Sequence, residues 1–398
     1  MASKGCSTRS NCSTRAGSFR PLPLPGPAPE LTSRGLQMND QARNNPSRRR
    51  ALKVAATGVG TCAAAAWLRY ARAQSRRIVI RDDGGVYNRA YNAVFYKPFT
   101  EKTGIECLGA QANAEPIAQI RSMVETKNYT WDMAKISQPA ILLLTQGGKV
   151  YLDKHQLEND PAVRSIPAHF MSPYGVGANV YSTVLAYRTD AFKGRKAPNS
   201  WADFWNLKDF PGRRALRKHP FDTLEEASMA AGVPAASLYP LDIDRALAHL
   251  DKIKPGIDVW WNSGAQVEQM LKSGEVDMLA TWVSRPQSAI ADGAPVAIVW
   301  NQNLWGLDSW AILAGTPQAQ ACREFIKFSS DPKRMAALTG YLPAGVTQPE
   351  AFRYIRADVA RNCPSHADNI GNGVQINARY WLDNQAAVTE RFNAWILQ

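Results

Sequence analysis

Along this chain, stretches of helical period alternate with short, continuously apolar runs. Between 258 and 285 an apolar run comes first. A helical segment follows, with Val267, Met270 and Leu271 at the i, i+3, i+4 spacing of one face, and Gly274 ends it before a second apolar run at 276–281. Ser263 or Gly264 can cap this helix. The whole reads strand, helix, strand, and each strand end carries a tryptophan, Trp261 and Trp282. Runs this short and unbroken fit strands buried on both faces of a parallel sheet.

The same grammar begins at residue 77. RIVIR at 77–81 predicts a strand, Asp82-Asp83-Gly84-Gly85 a turn, and 86–102 a helix stopped by Gly104. A helix is expected at 117–124 and a strand at 133–136. Another helix then starts with Ser137 as N-cap and Pro139 in its first turn. VYSTVLAY at 180–187 reads as a strand crossing between domains, and Ser200 caps a short helix. A second set follows: a strand near Leu216, helices at 221–231 and 243–253, the segment described above, and a strand at 296–300. SWAILA at 309–314 would return the chain to the first domain. Alternating elements with two crossings predict an α/β molecule with a sheet-containing domain on each side of a hinge.

In open α/β sheets, ligands sit beyond the carboxyl ends of the strands. That rule selects Asp83, Gly84, Ser137, Gln138, Asp222, Trp261 and Trp282 as candidate ligand residues, and Asp308, which precedes the returning strand, joins them as a further carboxylate. For the aspartates the structural alternative is a cap or turn, and for the tryptophans it is the core. Arg217 and Arg285 stand near the same junctions and would serve an anionic group, since arginine holds a carboxylate or phosphonate bidentately.

Charge alters this picture only at the amino terminus. The formal charge is +13, but residues 1–73 carry 12 Lys and Arg against two acids, leaving 35 against 32 in 74–398. The excess is a property of the leader, and no basic stripe with interleaved aromatics in the remainder offers itself to nucleic acid. Residues 1–37 are rich in Ser, Arg and Pro and are expected to be disordered. SRRRALK at 47–53, the apolar run to Trp67 and ARA at 71–73 form a secretory signal that resembles the twin-arginine type, with Met38 as the expected start of translation.

Three cysteines remain after this leader, Cys107, Cys322 and Cys363. Odd in number and widely spaced, they form neither a disulfide framework nor a metal motif. An exported enzyme is the alternative to a binding protein. The sequence holds no Cys-x-x-Cys, His-Glu-x-x-His, Gly-x-Ser-x-Gly or phosphate loop, so no cofactor, metal or catalytic residue is expected.

Several segments in order across 77–350 carry a family resemblance: SWADFW at 200–205, FPGRRAL at 210–216, WWNSG at 260–264, SGEVDMLATW at 273–282, LDSWAIL at 307–313, AQACREFIKFSSDPKRMA at 319–336 and GYLPAG at 340–345. They resemble the periplasmic solute-binding proteins of ABC importers (bacterial extracellular solute-binding protein family 1 type), and among these the spermidine/putrescine-binding group. The resemblance implies a two-lobed periplasmic binding protein fold, type II-like, with a ligand cleft between lobes joined by a hinge. Lobe 1 would comprise 74–182 and 309–398 with the C-terminal helices, and lobe 2 would comprise 183–308. It also implies a monomer in the periplasm that captures a small solute and delivers it to the permease subunits of an ABC transporter.

On this resemblance the solute is a polyamine such as putrescine or spermidine. Asp222 falls at an amine-binding acid of the group, while His219 stands at a second such position and Pro139 where an aromatic is expected. A polyamine needs carboxylates for its ends and flat walls for its methylenes. Each cation over a tryptophan face gains about 0.5–2 kcal/mol. The arginines keep an anionic or zwitterionic solute open: an opine, an amino acid or a phosphonate.

Overall fold

In the computed structural model, which describes residues 77–112, 116–342 and 344–398, the strands join in one hydrogen-bonded path. The leader and its signal motif lie outside the described residues. The main strands are β1 (Arg77–Asp82), β2 (Glu106–Gln111), β3 (Met133–Ser137), β4 (Gly175–Arg188), β5 (Arg214–Arg217), β6 (Val259–Trp261), β7 (Met278–Trp282) and β8 (Val296–Leu313). Their spatial order is β2-β1-β3-β8-β4-β7-β5-β6. Within β1–β3, and within β5–β7, neighbours run parallel, as helical crossovers require. β4 and β8 are antiparallel to each other and run through both halves.

The helices used below are α1 (Gly85–Tyr91), α2 (Lys97–Thr103), α3 (Ile117–Thr126), α4 (Gln138–Thr145), α5 (Trp201–Trp205), α6 (Pro220–Ala230), α7 (Ile243–Ile253), α8 (Gly264–Ser273), α9 (Ser284–Ala291), α10 (Ala319–Ser329), α11 (Pro332–Leu338) and α12 (Ala378–Ile396). Ser137 caps α4 as expected, its Oγ accepting from the Ala140 N–H, and Ser200 does the same for α5. Gly104 and Gly274 end α2 and α8 in left-handed conformation.

The single helix expected at 86–102 is instead α1 and α2 joined by a π-helical segment, Asn92–Tyr96. The strands expected at 296–300 and 309–314 are one strand, β8. Its register with β4 shifts between Val299 and Leu304, where Gln302 adopts a φ of +60°, and again between Asp308 and Ser309. The polar Asn301-Gln302-Asn303 falls in the gap between the two expected strands, yet each side chain is used inside the bulge. Trp201 donates its backbone N–H to Gln302 Oε1 and its indole N–H to the Gln302 carbonyl, and Ser182 Oγ donates to Asn303 Oδ1 at 2.6 Å.

Two large apolar clusters flank this paired crossing. One gathers Ile78, Ile80, Tyr91, Phe95, Phe99, Trp310 and Phe325. The other gathers Leu185, Trp201, Phe204, Leu216, Leu224, Leu250 and Met278. The C-terminal helix was expected with the first lobe. Its buried Trp381, Val388, Phe392 and Trp395 belong to the second cluster, while its start packs against α4 of the first half. Cys107, Cys322 and Cys363 are buried, free thiols.

Candidate functional site

The carboxyl ends of β1, β3, β5 and β7 bring most of the predicted residues to the space between the halves. From β1, Asp82 is buried and turned inward: its Oδ1 accepts from the Gly84 N–H, and its Oδ2 accepts from Asn88 Nδ2 and Tyr96 Oη. It shapes the turn. Gly84, at φ +68°, precedes α1, and a Cβ there would stand 2.1 Å from the Gln111 side chain, so only glycine fits.

Asp83 points instead toward Lys135 of β3, whose Nζ donates to Asp83 Oδ2 at 2.6 Å and to Asp308 Oδ2 at 2.5 Å. Asn179 Nδ2 also donates to Asp308, and Tyr91 Oη holds Asn179 in place. Arg81 Nη1 lies 3.2 Å from Asp83 Oδ1. The Lys135 side chain is only 2% exposed. Burial would strip its proton, but the neighbouring Asp308 and Asp83 outweigh it and hold its pKa well above the ordinary value. Sequence reasoning missed Lys135, although a lone cation inside the apolar strand MAKIS was a usable signal. Tyr87, one turn into α1, lies with its ring 5.5 Å from Lys135 Nζ.

The second half offers guanidinium groups. At the end of β5, Arg217 Nη1 donates to Asp222 Oδ2 at 3.0 Å, and its guanidinium lies 4.8 Å from the Trp282 ring centroid. Asp222 is 1% exposed and sits at φ +74°, a strained position for a non-glycine residue at the start of α6. Burial raises its pKa, offset in part by Arg217, Thr183 and Trp282. Arg285 rests 3.6 Å from Glu268 and packs beneath Gly264, where a Cβ would come within 2.6 Å of its Nε. Its charge reaches Tyr87 on the opposite half, where burial is the larger influence and raises the phenol pKa.

Trp261 corrects an expectation. It is 1% exposed, packs in the core of the second half, and donates its indole N–H to the Ala280 carbonyl. A strand end can bury its last side chain, and here the ring supports Trp282 edge-on at 5.3 Å rather than lining the cleft. Trp282 is half-buried, with Arg217 over it. His219, expected at an amine-binding position on the spermidine/putrescine resemblance, caps α6 by accepting from the Phe221 N–H, and burial lowers its pKa to about 4.

Beyond Ser137, Gln138 opens a cavity of about 390 Å³ between the halves. Sequence reasoning picked Gln138 but not the facing Tyr239, Gln375 and Asn377. Those three come from segments far along the chain and carry no local motif. Behind Tyr239, α6 buries Glu225 and Glu226. Glu225 Oε1 accepts from Tyr239 Oη and Trp381 Nε1, each at 2.6 Å. Among the described residues no cluster of three or more His, Cys, Asp or Glu could hold a metal ion, and no helix is long and apolar enough to cross a membrane.

Comparison with known proteins gives this arrangement its context. The gamma-aminobutyric acid-binding protein of Pseudomonas aeruginosa is 35% identical over 335 residues, 82% of this chain and 92% of that protein. An ABC transporter substrate-binding protein from Bradyrhizobium japonicum superposes with a TM-score of 0.75 at 34% identity, covering 81% of this chain and 99% of that one. The PBP MotA from A. tumefaciens B6, solved in complex with glucopine, superposes with a TM-score of 0.67 at 27% identity, covering 80% and 99%. These relatives are solute-binding proteins rather than enzymes, and the two-lobed fold is theirs. The family model described as bacterial extracellular solute-binding protein matches residues 95–351, and the chain belongs to that family.

Proposed function

We propose that this substrate-binding protein of an ABC transporter captures a small zwitterionic or carboxylate-bearing solute, of the γ-amino acid or opine kind, and delivers it to permease subunits in the membrane. One observation carries the choice over a polyamine: the three aspartates predicted for the site are already paired. Asp83 and Asp308 share buried Lys135, Arg81 reaches Asp83, and Asp222 is held by Arg217. A polyamine brings several positive charges and needs surplus carboxylates. A charge-balanced site instead offers separated plus and minus ends, the complement of a zwitterion.

In this reading Arg217 and Arg285 receive the carboxylate, and Asp83 and Asp308 receive the ammonium. Gly84 and Ser137 shape the backbone around it, and Trp282 forms a wall. The names of the relatives support the same choice. Export to the periplasm by the twin-arginine-type signal, action as a monomer, and a first lobe opening near residue 74 belong to this proposal as well. Calorimetric titration with γ-aminobutyrate, amino acids, opines, putrescine and spermidine tests it. The zwitterions are expected to bind and the polyamines to bind weakly or not at all; putrescine or spermidine binding more tightly than every zwitterion would reverse it.

A further inference from the structure

One groove on the first half shares no residue with the site described above. It holds about 780 Å³, and its walls come from the π-helical segment, α2, the end of α10, α11 and the chain around Ser165 and Gln348. Its lining carries four cations, Lys102, Lys327, Lys333 and Arg334, against two acids, Asp331 and Glu350. Residues 74–398 as a whole are nearly neutral, with 35 basic against 32 acidic side chains, so this is a concentrated surplus.

Three of these cations are left for a partner. Lys102 and Arg334 lie on the same ring, 5.7 Å and 3.9 Å from the Phe328 centroid, and Lys333 lies 5.4 Å from the Tyr354 centroid. Among the described residues none of the three is in an ion pair, whereas Lys327 is paired with Asp160 at 3.6 Å. Stacking on a ring fixes the plane of a guanidinium while its N–H groups stay free for a carboxylate. Of the two acids, Asp331 is already engaged as the N-cap of α11, accepting from the backbone N–H of Arg334.

The groove also holds an orphan acceptor. Gln348 is 1% exposed; its Nε2 donates to Ser165 Oγ at 2.8 Å, and its Oε1 has no hydrogen-bond partner among the described residues. A buried amide oxygen left unpaired is costly, and an N–H or O–H donor relieves it. Val94, Pro98 and Ala162 give the same groove an apolar surface.

We infer that this groove docks an acidic segment of a protein partner: its carboxylates meet Lys102, Lys333 and Arg334, a main-chain N–H meets Gln348 Oε1, and an aliphatic side chain lies against Pro98 and Ala162. The inference rests on delivery to a permease, the role proposed above, and assigns the segment to a permease subunit. It does not depend on which solute is carried. Charge excludes the leader of this chain as the occupant, since it holds 12 Lys and Arg against two acids. A flat anionic membrane would meet the exposed lysines without reaching the buried Gln348.

The test uses the chain from residue 74, the part that the solved relatives share, because the basic leader would bind an acidic probe by itself. The probe is a fluorescein-labelled peptide, Glu-Asp-Leu-Leu-Asp-Glu, followed by fluorescence anisotropy, with Gln-Asn-Leu-Leu-Asn-Gln as its neutral counterpart. The acidic peptide should bind saturably below about 1 mM, and the neutral one at least about tenfold more weakly. Lys102→Glu and Arg334→Gln should each weaken the acidic peptide by at least about tenfold, the scale of one lost charge-assisted hydrogen bond. Gln348→Leu changes no charge and should weaken it as well. Arg379→Glu, an exposed charge outside the groove, should leave it within about twofold. Each variant is used only with a ligand-free melting temperature matching wild type, and the exposed Lys102 keeps the test open if a buried position does not fold.

No saturable binding, a loss matched by Arg379→Glu, or indifference to Gln348→Leu would overturn the inference. So would vesicles containing phosphatidylglycerol that bind the wild type but not Lys102→Glu while the peptide does not bind, since the groove would then be a membrane contact. Calorimetry with the zwitterions on the same samples keeps the two proposals apart. Solute binding without peptide binding sinks this inference alone, and peptide binding without solute binding sinks the solute reading alone.

Discussion

At the scale of single residues, the site is decided by pairing rather than by the presence of acids. Arg217→Gln should weaken a carboxylate-bearing ligand by about 1.5–3 kcal/mol, the worth of hydrogen bonds to a charged group. Titration with the best zwitterion checks this, and unchanged affinity would remove Arg217 from the site. Lys135→Met leaves Asp83 and Asp308 without their buried cation. Because both acids keep partial exposure, at 35% and 19% of their side chains, the expected loss of stability is at the lower end of the ~3–5 kcal/mol for breaking a buried pair. Denaturant unfolding measures it, and a loss below about 1 kcal/mol would mean that water replaces the lysine. Glu225 adds a pH dependence. Burial, partly offset by Tyr239 but reinforced by Asp222, raises its pKa to about 7. The folded protein then keeps a proton that the unfolded chain releases near the ordinary carboxylate value, so this contribution is full below that value and is lost as pH rises through about 7. Glu225→Gln cannot titrate and can still accept from Tyr239 and Trp381 through its amide oxygen. Its melting temperature relative to wild type should therefore climb between about pH 4.5 and about pH 8, and a constant difference would show that Glu225 does not titrate in that range.

At the scale of elements, much was legible because local chemistry and tertiary structure agree. Ser137 and Ser200 cap where hydroxyls precede apolar periodic runs, Gly104 and Gly274 stop helices, and β7 overlaps the apolar run at 276–281, whereas the parallel edge strand β2, ECLGAQ, has no such run and was not expected. What was not legible depends on contacts distant in sequence. The expected strands at 296–300 and 309–314 join into one because Trp201 and Ser182 hold Gln302 and Asn303 inside β8. Trp261 and Trp282 occupy equivalent strand ends, and only packing separates the core ring from the half-buried one. The C-terminal helix gives the sharpest case, since nothing in its own sequence says which half it joins. Its Trp381 is fully buried and donates to Glu225 at 2.6 Å. Trp381→Ala should therefore cost about 3–5 kcal/mol, from the lost ring and from a buried carboxyl left with one donor fewer. Unfolding curves test this, and a loss near zero would detach the helix from the second half's core.

At the scale of the whole molecule, two facts set how the halves can move. Among the described residues only β4 and β8 run through both halves as paired strands, and their pairing is interrupted at Gln302, so bending there disturbs few ladder bonds. The residues that would grip a solute are divided between the halves, with Asp83 and Asp308 on one side and Arg217 and Arg285 on the other. A ligand can make all of its contacts only when the halves approach, so it binds the closed arrangement more tightly and shifts the population toward it. Small-angle scattering should accordingly show a smaller radius of gyration with the best zwitterion at about 100 times its dissociation constant, where linkage also predicts about 2.7 kcal/mol of added stability. The two readouts separate binding from movement. Added stability with an unchanged radius would mean that the solute is held within one half, in which case Arg217→Gln and Lys135→Met could not both weaken binding.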